Sequence, residues 1–530
     1  MLNYQNWLNS QAQQTTQRMI AVKLNPLLNG NSVFRYFSTH PLKDTVANIT
    51  YNATITNQFT VTESIDPYTN TASISYGEIE LDNSITGFAT LDDFLYSTYV
   101  WRNRPIQVYV GSAPASGETS SFADDFELIF DGIIEDIDSR SRFTLSLKVR
   151  DKFEKLNISV SESLLGNYVP SDLAATFPSY VNPNAGALKP LCYGEPFNVT
   201  PLQTFAPALE YMVSADPIES IIEVRDNGIP VQFDTNTQNA AIPAGSFRLK
   251  TSPVGVVTCS VQGIKQKIQD DGSIVASSFD PSASNTILNI VTSKAGLTGF
   301  FNTTEFPTTN SNPSFATAKS VGVYVKERQN LLQLCQELAK SCGTILLATR
   351  LGTLKLVLPY SLSSIKATVT ESRILLNSLQ LSGRPEIIAG IKLGYAKNWT
   401  PQQALTTDIP QEHKDSYATE WYEYSQSNDT VKTRYGVTKE PELEGTYLVA
   451  STEISGVGSG IMLTRSQQRN KFKFVGTAEL LNVAVGDWVD FSFTSTSTAS
   501  TKLGLNGKIG LVISTQPNWI KGTIEIEVLV

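Results

Sequence analysis

The chain has 530 residues, a formal net charge of −9 and 17% charged residues, below the about 25% usual for soluble domains. A weak acidic balance, with both signs mixed along the chain, argues against a nucleic-acid binder held by phosphate neutralisation. Four scattered cysteines and two isolated histidines exclude a disulfide framework and a metal centre of the usual ligand spacing.

This length holds roughly three or four domains of about 150 residues. Residues 1–20 read as a polar helix or arm. No basic flank precedes an apolar run there, so no signal peptide is expected. No apolar window is long enough to span a membrane. Ala72–Leu81 alternates at period two, and its phase shifts at Gly77, which predicts a β-bulge. Thr90–Trp101 reads as a short helical piece.

Three strands follow: Arg104–Gly111, Phe126–Ile134 and Phe143–Val149. The same pattern returns far downstream as Gly486–Phe493, Leu505–Ile513 and Gly522–Leu529. Each set holds an alternating strand, a strand broken near a glycine and a final alternating strand. In the second set Asn506-Gly507-Lys508 stands at the corresponding turn. Phe472, Phe474 and Gly476 loosely echo Ile74, Tyr76 and Gly77.

Between the two sets, residues 158–320 are rich in Pro and turn residues. Asp226-Asn227-Gly228 predicts a hairpin within 221–231. A helix is expected from Asp280-Pro281 to Gly296, and another from Lys326 to Cys342. Leu331, Leu334, Cys335, Leu338 and Cys342 share one face of the second, so both cysteines read as core residues. A hairpin at 344–358 should turn at Arg350–Gly352. An irregular excursion spans about 400–450, and a short helix Met462–Asn470.

The densest charge cluster is Asp124, Asp125, Glu127, Asp131, Glu135, Asp136 and Asp138, with no base before Arg140. A glycosidase carboxylate pair needs two carboxyls about 5–10 Å apart across a sugar. Calcium binding is a second reading, without EF-hand spacing. Solvent-facing positions of a half-buried strand are a third, with Glu127 and Asp131 alternating with Phe126, Leu128 and Phe130. An acidic channel face that lets a DNA duplex slide past is a fourth. No nucleophile motif, P-loop or dinucleotide fingerprint is found. His40 and His413 read as surface residues. No catalytic residue, cofactor or metal is expected. The aromatic run Ala418–Ser425 suits a partner contact or a sugar platform.

The chain resembles the baseplate hub (tail hub) proteins of long-tailed bacteriophages. Trp101–Gly111, Phe130–Asp136 and Thr144–Asn157 are similar to the first hub barrel. Asn330–Gly343 with its hairpin resembles the middle α+β domain. Val485–Phe491, Gly507–Ile513 and Ile524–Leu529 resemble the second barrel. The resemblance implies a mainly β fold with α+β insertions, holding two tail-tube-like β-barrels and a middle α+β region. The expected layout is an arm at 1–20, a barrel at 21–157, a middle region at 158–375 and a second barrel at 376–530.

It further implies a non-enzymatic virion protein at the tail tip, assembled in the host cytoplasm. Three copies would form a pseudo-six-fold ring around the DNA channel. Partners would be a distal tube-end protein, the tape-measure protein and a tip or fibre protein. Some of the seven acidic residues would face the channel. The alternative is a receptor-binding or polysaccharide-degrading tail protein. A spike should show repeats of a β-helix, which are not seen, and a secreted adhesin is weakened by the missing signal peptide.

Overall fold

Alternating apolar residues dictate most of this fold, and strands dominate it. The computed structural model describes residues 17–82, 84, 99–114, 116–119, 121–141, 143–309, 311–312, 314–403, 405, 409–493 and 503–530. The chain divides into two compact units. The first joins Met1–Glu154, Leu347–Glu386 and Gln468–Val530; the second joins Lys155–Leu346 and Ile387–Gln467.

The first unit contains both triple-strand sets. Pro105–Ser112, Phe126–Ser141 and Thr144–Asp151 are neighbours in one sheet. Trp488–Phe491, Ile509–Asn518 and Thr523–Leu529 are neighbours in another. Leu145, Leu147 and Val149 are buried on the first set, as are Ile524, Ile526 and Val528 on the second. One apolar core takes Val108, Phe130 and Leu147 from the first set and Phe474, Val489 and Ile526 from the second. Burying one such side chain fully contributes about 1.5–3 kcal/mol.

The two sets pair in the same register. Ile106 faces Gly132, and Val489 faces Gly510. Ile134 faces Val149 and Asp136 faces Lys148, leaving Glu135 bulged. Val512 faces Val528 and Ser514 faces Glu527, leaving Ile513 bulged. The next strand repeats too. Ile79 and Leu81 face Leu147 and Leu145, as Phe474 and Gly476 face Ile526 and Ile524. Beyond it, Ile55 bridges Leu81 and Ile374 bridges Gly476. Gly132 therefore corresponds to Gly510, not to Gly507, and Phe474 and Gly476 correspond to Ile79 and Leu81.

One strand breaks the repeat. Arg18–Leu24 runs antiparallel to Pro105–Ser112, whereas Ile365–Val369 runs parallel to Trp488–Phe491.

The expected bulge at Gly77 is instead a change of partner. Thr71–Tyr76 pairs with Val61–Asp66, and Ile79–Asp82 pairs with Thr144–Asp151. The Gly77 N–H donates to Thr60 O at 2.8 Å, an approach that a Cβ would obstruct by meeting the Thr60 side chain. The Val61–Asp66 strand crosses to the second set, where Glu63 and Ser64 pair with Thr515 and Ser514.

Residues 1–16 and most of the expected helix at 90–101 lie outside the described residues. From Arg18 the chain is strand, with Met19 and Ile20 fully buried. Tyr99–Val100 is strand as well, paired with Leu27–Leu28.

The second unit is α+β. The 221–231 hairpin forms with Asn227 and Gly228 both at positive φ, 46° and 87°, the geometry of a type I′ turn. One helix spans Ala283–Ala295; the Ser282 hydroxyl caps it by accepting from the Asn285 N–H at 3.2 Å, and Gly296 ends it at φ 64°. The start is Ser282 rather than Asp280-Pro281 because Ser282 satisfies an orphan N–H. Another spans Leu331–Ser341, capped by Asn330. Its Leu331, Leu334, Cys335 and Leu338 are fully buried.

Regular elements occur among the described residues of the 400–450 excursion. Gly390–Tyr395 pairs with Tyr422–Ser427 and Leu443–Gly445, and helices span Gln411–Ala418 and Asp429–Tyr435. The helix expected at 462–470 is Ser451–Arg465. Gly458 is where the helix packs on the strand: a Cβ there would meet the Tyr424 ring.

Candidate functional site: the acidic strand and its edge

The acidic run enters on a short helix, Phe122–Asp125. Asp124 and Asp125 are exposed at its end. The Ser121 hydroxyl donates to Asp124 at 2.5 Å, and the Thr119 hydroxyl donates to Asp125. Glu127 is half-buried, and that burial pushes its carboxyl up from the ordinary range. The strict alternation expected here is interrupted, because Ile129 is bulged between Leu128 and Phe130. Ile129 is buried and Leu128 half-buried.

Asp131, Glu135 and Asp138 meet cations on, or just past, the adjoining strand. Lys152 pairs with Asp131, Arg150 with Glu135 at 2.5 Å, and Lys148 with Asp138 at 3.7 Å. The sequence carries this signal in Lys148, Arg150 and Lys152, spaced by two along, and just past, a strand antiparallel to the acids. Counting charge along the chain missed it, because antiparallel pairing joins residues distant in sequence. Asp136 is exposed, with its Oδ1 accepting from the Ile137 N–H at 2.9 Å.

Beside the bulge lies a groove of about 520 Å³ lined by Arg102, Asn103, Ile133, Glu135, Arg150 and Glu154. Arg150 spans it, reaching Glu135 and, at 3.1 Å, Glu154. Those carboxylates, Glu135 foremost, hold the guanidinium above its ordinary pKa. Two cations against two carboxylates leave the groove without net charge. Its walls offer neither a nucleophile nor a base set up to activate one. Among the described residues no group of His, Cys, Asp and Glu could hold a metal ion.

Among the described residues, the Phe126–Ser141 strand keeps a neighbour on one side alone past Ile134. Thr144–Asp151 pairs there through Asp136, Ile137 and Asp138. On the other side Pro105–Ser112 stops at Ile133, and among the described residues no strand continues along that edge. The corresponding edge in the second set, at Ser514 and Thr515, is covered by Ser64 and Glu63.

His40 and His413 stand apart from this site. His40 meets the Gln17 side chain at 2.8 Å and Thr39 at 3.1 Å. His413 sits in the Gln411–Ala418 helix. The aromatic run packs inward as well as outward. Trp421 lies over Gly394 and Gly445, where a Cβ would meet the indole. Lys397 sits 4.4 Å from the Trp399 ring and 5.0 Å from the Trp421 ring, and Tyr422 stacks on Tyr395 at 5.7 Å.

No family model matches the chain, and no curated protein matches it. Solved structures do. A prophage MuSo2 43 kDa tail protein from Shewanella oneidensis is similar at a TM-score of 0.39 and 11% identity, over 96% of this chain and 98% of that one. A tail protein from Neisseria meningitidis MC58 gives 0.34 and 9%, over 96% of each chain. A chain of a native gene transfer agent virion gives 0.42 and 10%, over 65% of this chain and 84% of its own. At these values the likeness fixes neither the fold nor the function.

Proposed function

We propose that this chain is a structural hub of a phage-type tail. Three copies would present six similar β modules as a ring around a DNA channel, joining a tail tube to tip or fibre proteins. The observation that carries this reading is the repeated register, with bulges at Glu135 and Ile513 at equivalent points of two sheets. A closed ring needs matching interfaces, and two equivalent modules in one chain let three subunits meet a six-fold object.

In this reading each module is one tube-like barrel segment. The tube-end protein lies above, the tape-measure protein in the lumen, and the tip or fibre protein below. The lumen role is assigned to the acidic run. Asp124, Asp125 and Asp136 are its exposed carboxylates, while Asp131, Glu135 and Asp138 are offset by cations.

Mass photometry of the purified full chain tests this, followed by electron microscopy of the oligomer. Three copies in a ring with pseudo-six-fold symmetry are expected. A monomer, both alone and mixed with its tail partners, would overturn the reading.

A further inference from the structure

We infer that the open edge at Asp136–Asp138 is a docking site for the Leu381–Glu386 segment of a second copy of this chain, added as an antiparallel strand. The inference rests on the ring reading and gives it a specific interface.

The repeat identifies both halves. At Ser514 and Thr515 the second set accepts Ser64 and Glu63. By the shared register, Ser514 and Thr515 correspond to Asp136 and Ile137, whose equivalent edge is open among the described residues. The donor follows from the other repeat. Val61, where the donating strand begins, pairs with Tyr76. Counting back from the equivalence of Ile79 and Phe474, Tyr76 corresponds to Lys471, which pairs with Gly383. Arg384, Pro385 and Glu386 then stand where Thr62, Glu63 and Ser64 stand.

Within one copy, the first set has given its hairpin to the second. The second set's equivalent segment has received no such assignment. Gln380–Gly383 pairs on one side with Lys471–Thr477 and ends its sheet. Arg384 and Glu386 are exposed, and Leu376 and Leu381 are exposed to 92% and 43%. An open edge with exposed apolar residues is a template for strand addition.

The register brings one opposite-charge contact to a carboxylate that Lys148 already meets at 3.7 Å. It sets Arg384 opposite Asp138 and Pro385 opposite Ile137. Glu386 falls opposite Asp136, whose cross-strand partner is Lys148, so the like pair has a cation beside it. Head-to-tail contacts of this kind close into a ring when the rotation allows.

The full chain carrying Ile137→Cys and Pro385→Cys together, oxidised with copper phenanthroline, tests the contact. The four native cysteines are buried and do not compete. Bands of two and three copies are expected on a non-reducing gel, absent from either single variant. An oligomer by mass photometry that gives no such bands overturns this edge and leaves the ring standing; a monomer overturns both. Charge reversal gives a second measure. Asp138→Arg and Arg384→Asp should each weaken association about tenfold or more, and the two together should restore it. Single reversals without effect would overturn the register.

Discussion

The carboxylate of Glu63 is gripped twice by Arg350. The backbone N–H donates to Oε1 at 2.9 Å and the guanidinium to Oε2 at 2.7 Å. Both side chains are largely buried, and the guanidinium lies 5.5 Å from the Trp519 ring centroid. Arg350 O accepts from the Asp131 N–H at 2.9 Å. One turn thus ties the crossing strand, the acidic strand and the second set. Arg350→Met leaves a buried carboxylate without its cation and should cost about 3–5 kcal/mol, read by urea denaturation. Glu63→Met with Arg350→Met should recover most of that loss; an additive double variant would show that the pair does not act as a unit.

The equivalent glycines make a paired prediction. A Cβ on Gly132 would collide with Arg150 O and the Phe130 ring, and one on Gly510 with the Val528 side chain. Gly132→Ala and Gly510→Ala should each destabilise by about 1–3 kcal/mol. Gly507 sits in open space, but at φ 73°, so Gly507→Ala should cost roughly 1 kcal/mol through backbone strain alone. Thermal melts of the three variants distinguish overpacking from strain by rescue: Val528→Ala should relieve Gly510→Ala and leave Gly507→Ala unchanged.

Acid should weaken the second unit in a defined window. The Arg248 guanidinium, bonded to Asp172 at 2.7 and 2.9 Å, holds that carboxyl down at about 2. A carboxyl whose folded pKa lies below its unfolded value of about 3.9 stabilises at higher pH. That contribution is present above about pH 4 and fades as pH falls toward 2. Denaturation midpoints from pH 5 to 2 should drop, and Asp172→Asn should flatten this part of the profile. An unchanged profile would exclude Asp172 as its source.

The thiols should be silent in the native protein. Burial pushes Cys342 up to about 12 and raises Cys192, Cys259 and Cys335 as well. At pH 8 they stay protonated and enclosed, and the thiolate is the reactive form. A thiol reagent at that pH should titrate none of the four until denaturant is added. Rapid reaction of any one would place it on a mobile or open part of the fold.

Local pattern carried much of this architecture. Leu145, Leu147 and Val149 alternate because successive strand side chains point to opposite faces, and that holds whatever lies beside them. The Asn227-Gly228 turn and the Asn330 and Ser282 caps are local chemistry too. Cys335 and Cys342 read as core residues from helical spacing, and both are buried. By contrast, Ser451–Arg465 was obscured by Gly456, Gly458 and Gly460, since close packing on Tyr424 outweighs the low helix propensity of glycine.

A mainly β chain with two similar strand sets is legible from the residues alone, because side-chain period and turn residues act over a few positions. The tertiary structure decided the rest. It placed Lys148, Arg150 and Lys152 against the acidic strand, bulged Glu135 and Ile513 at matching points, and sent Val61–Asp66 across to the second set. Those outcomes depend on which strands pair and in which register. Register is a long-range choice, made when many buried side chains and backbone hydrogen bonds are satisfied together.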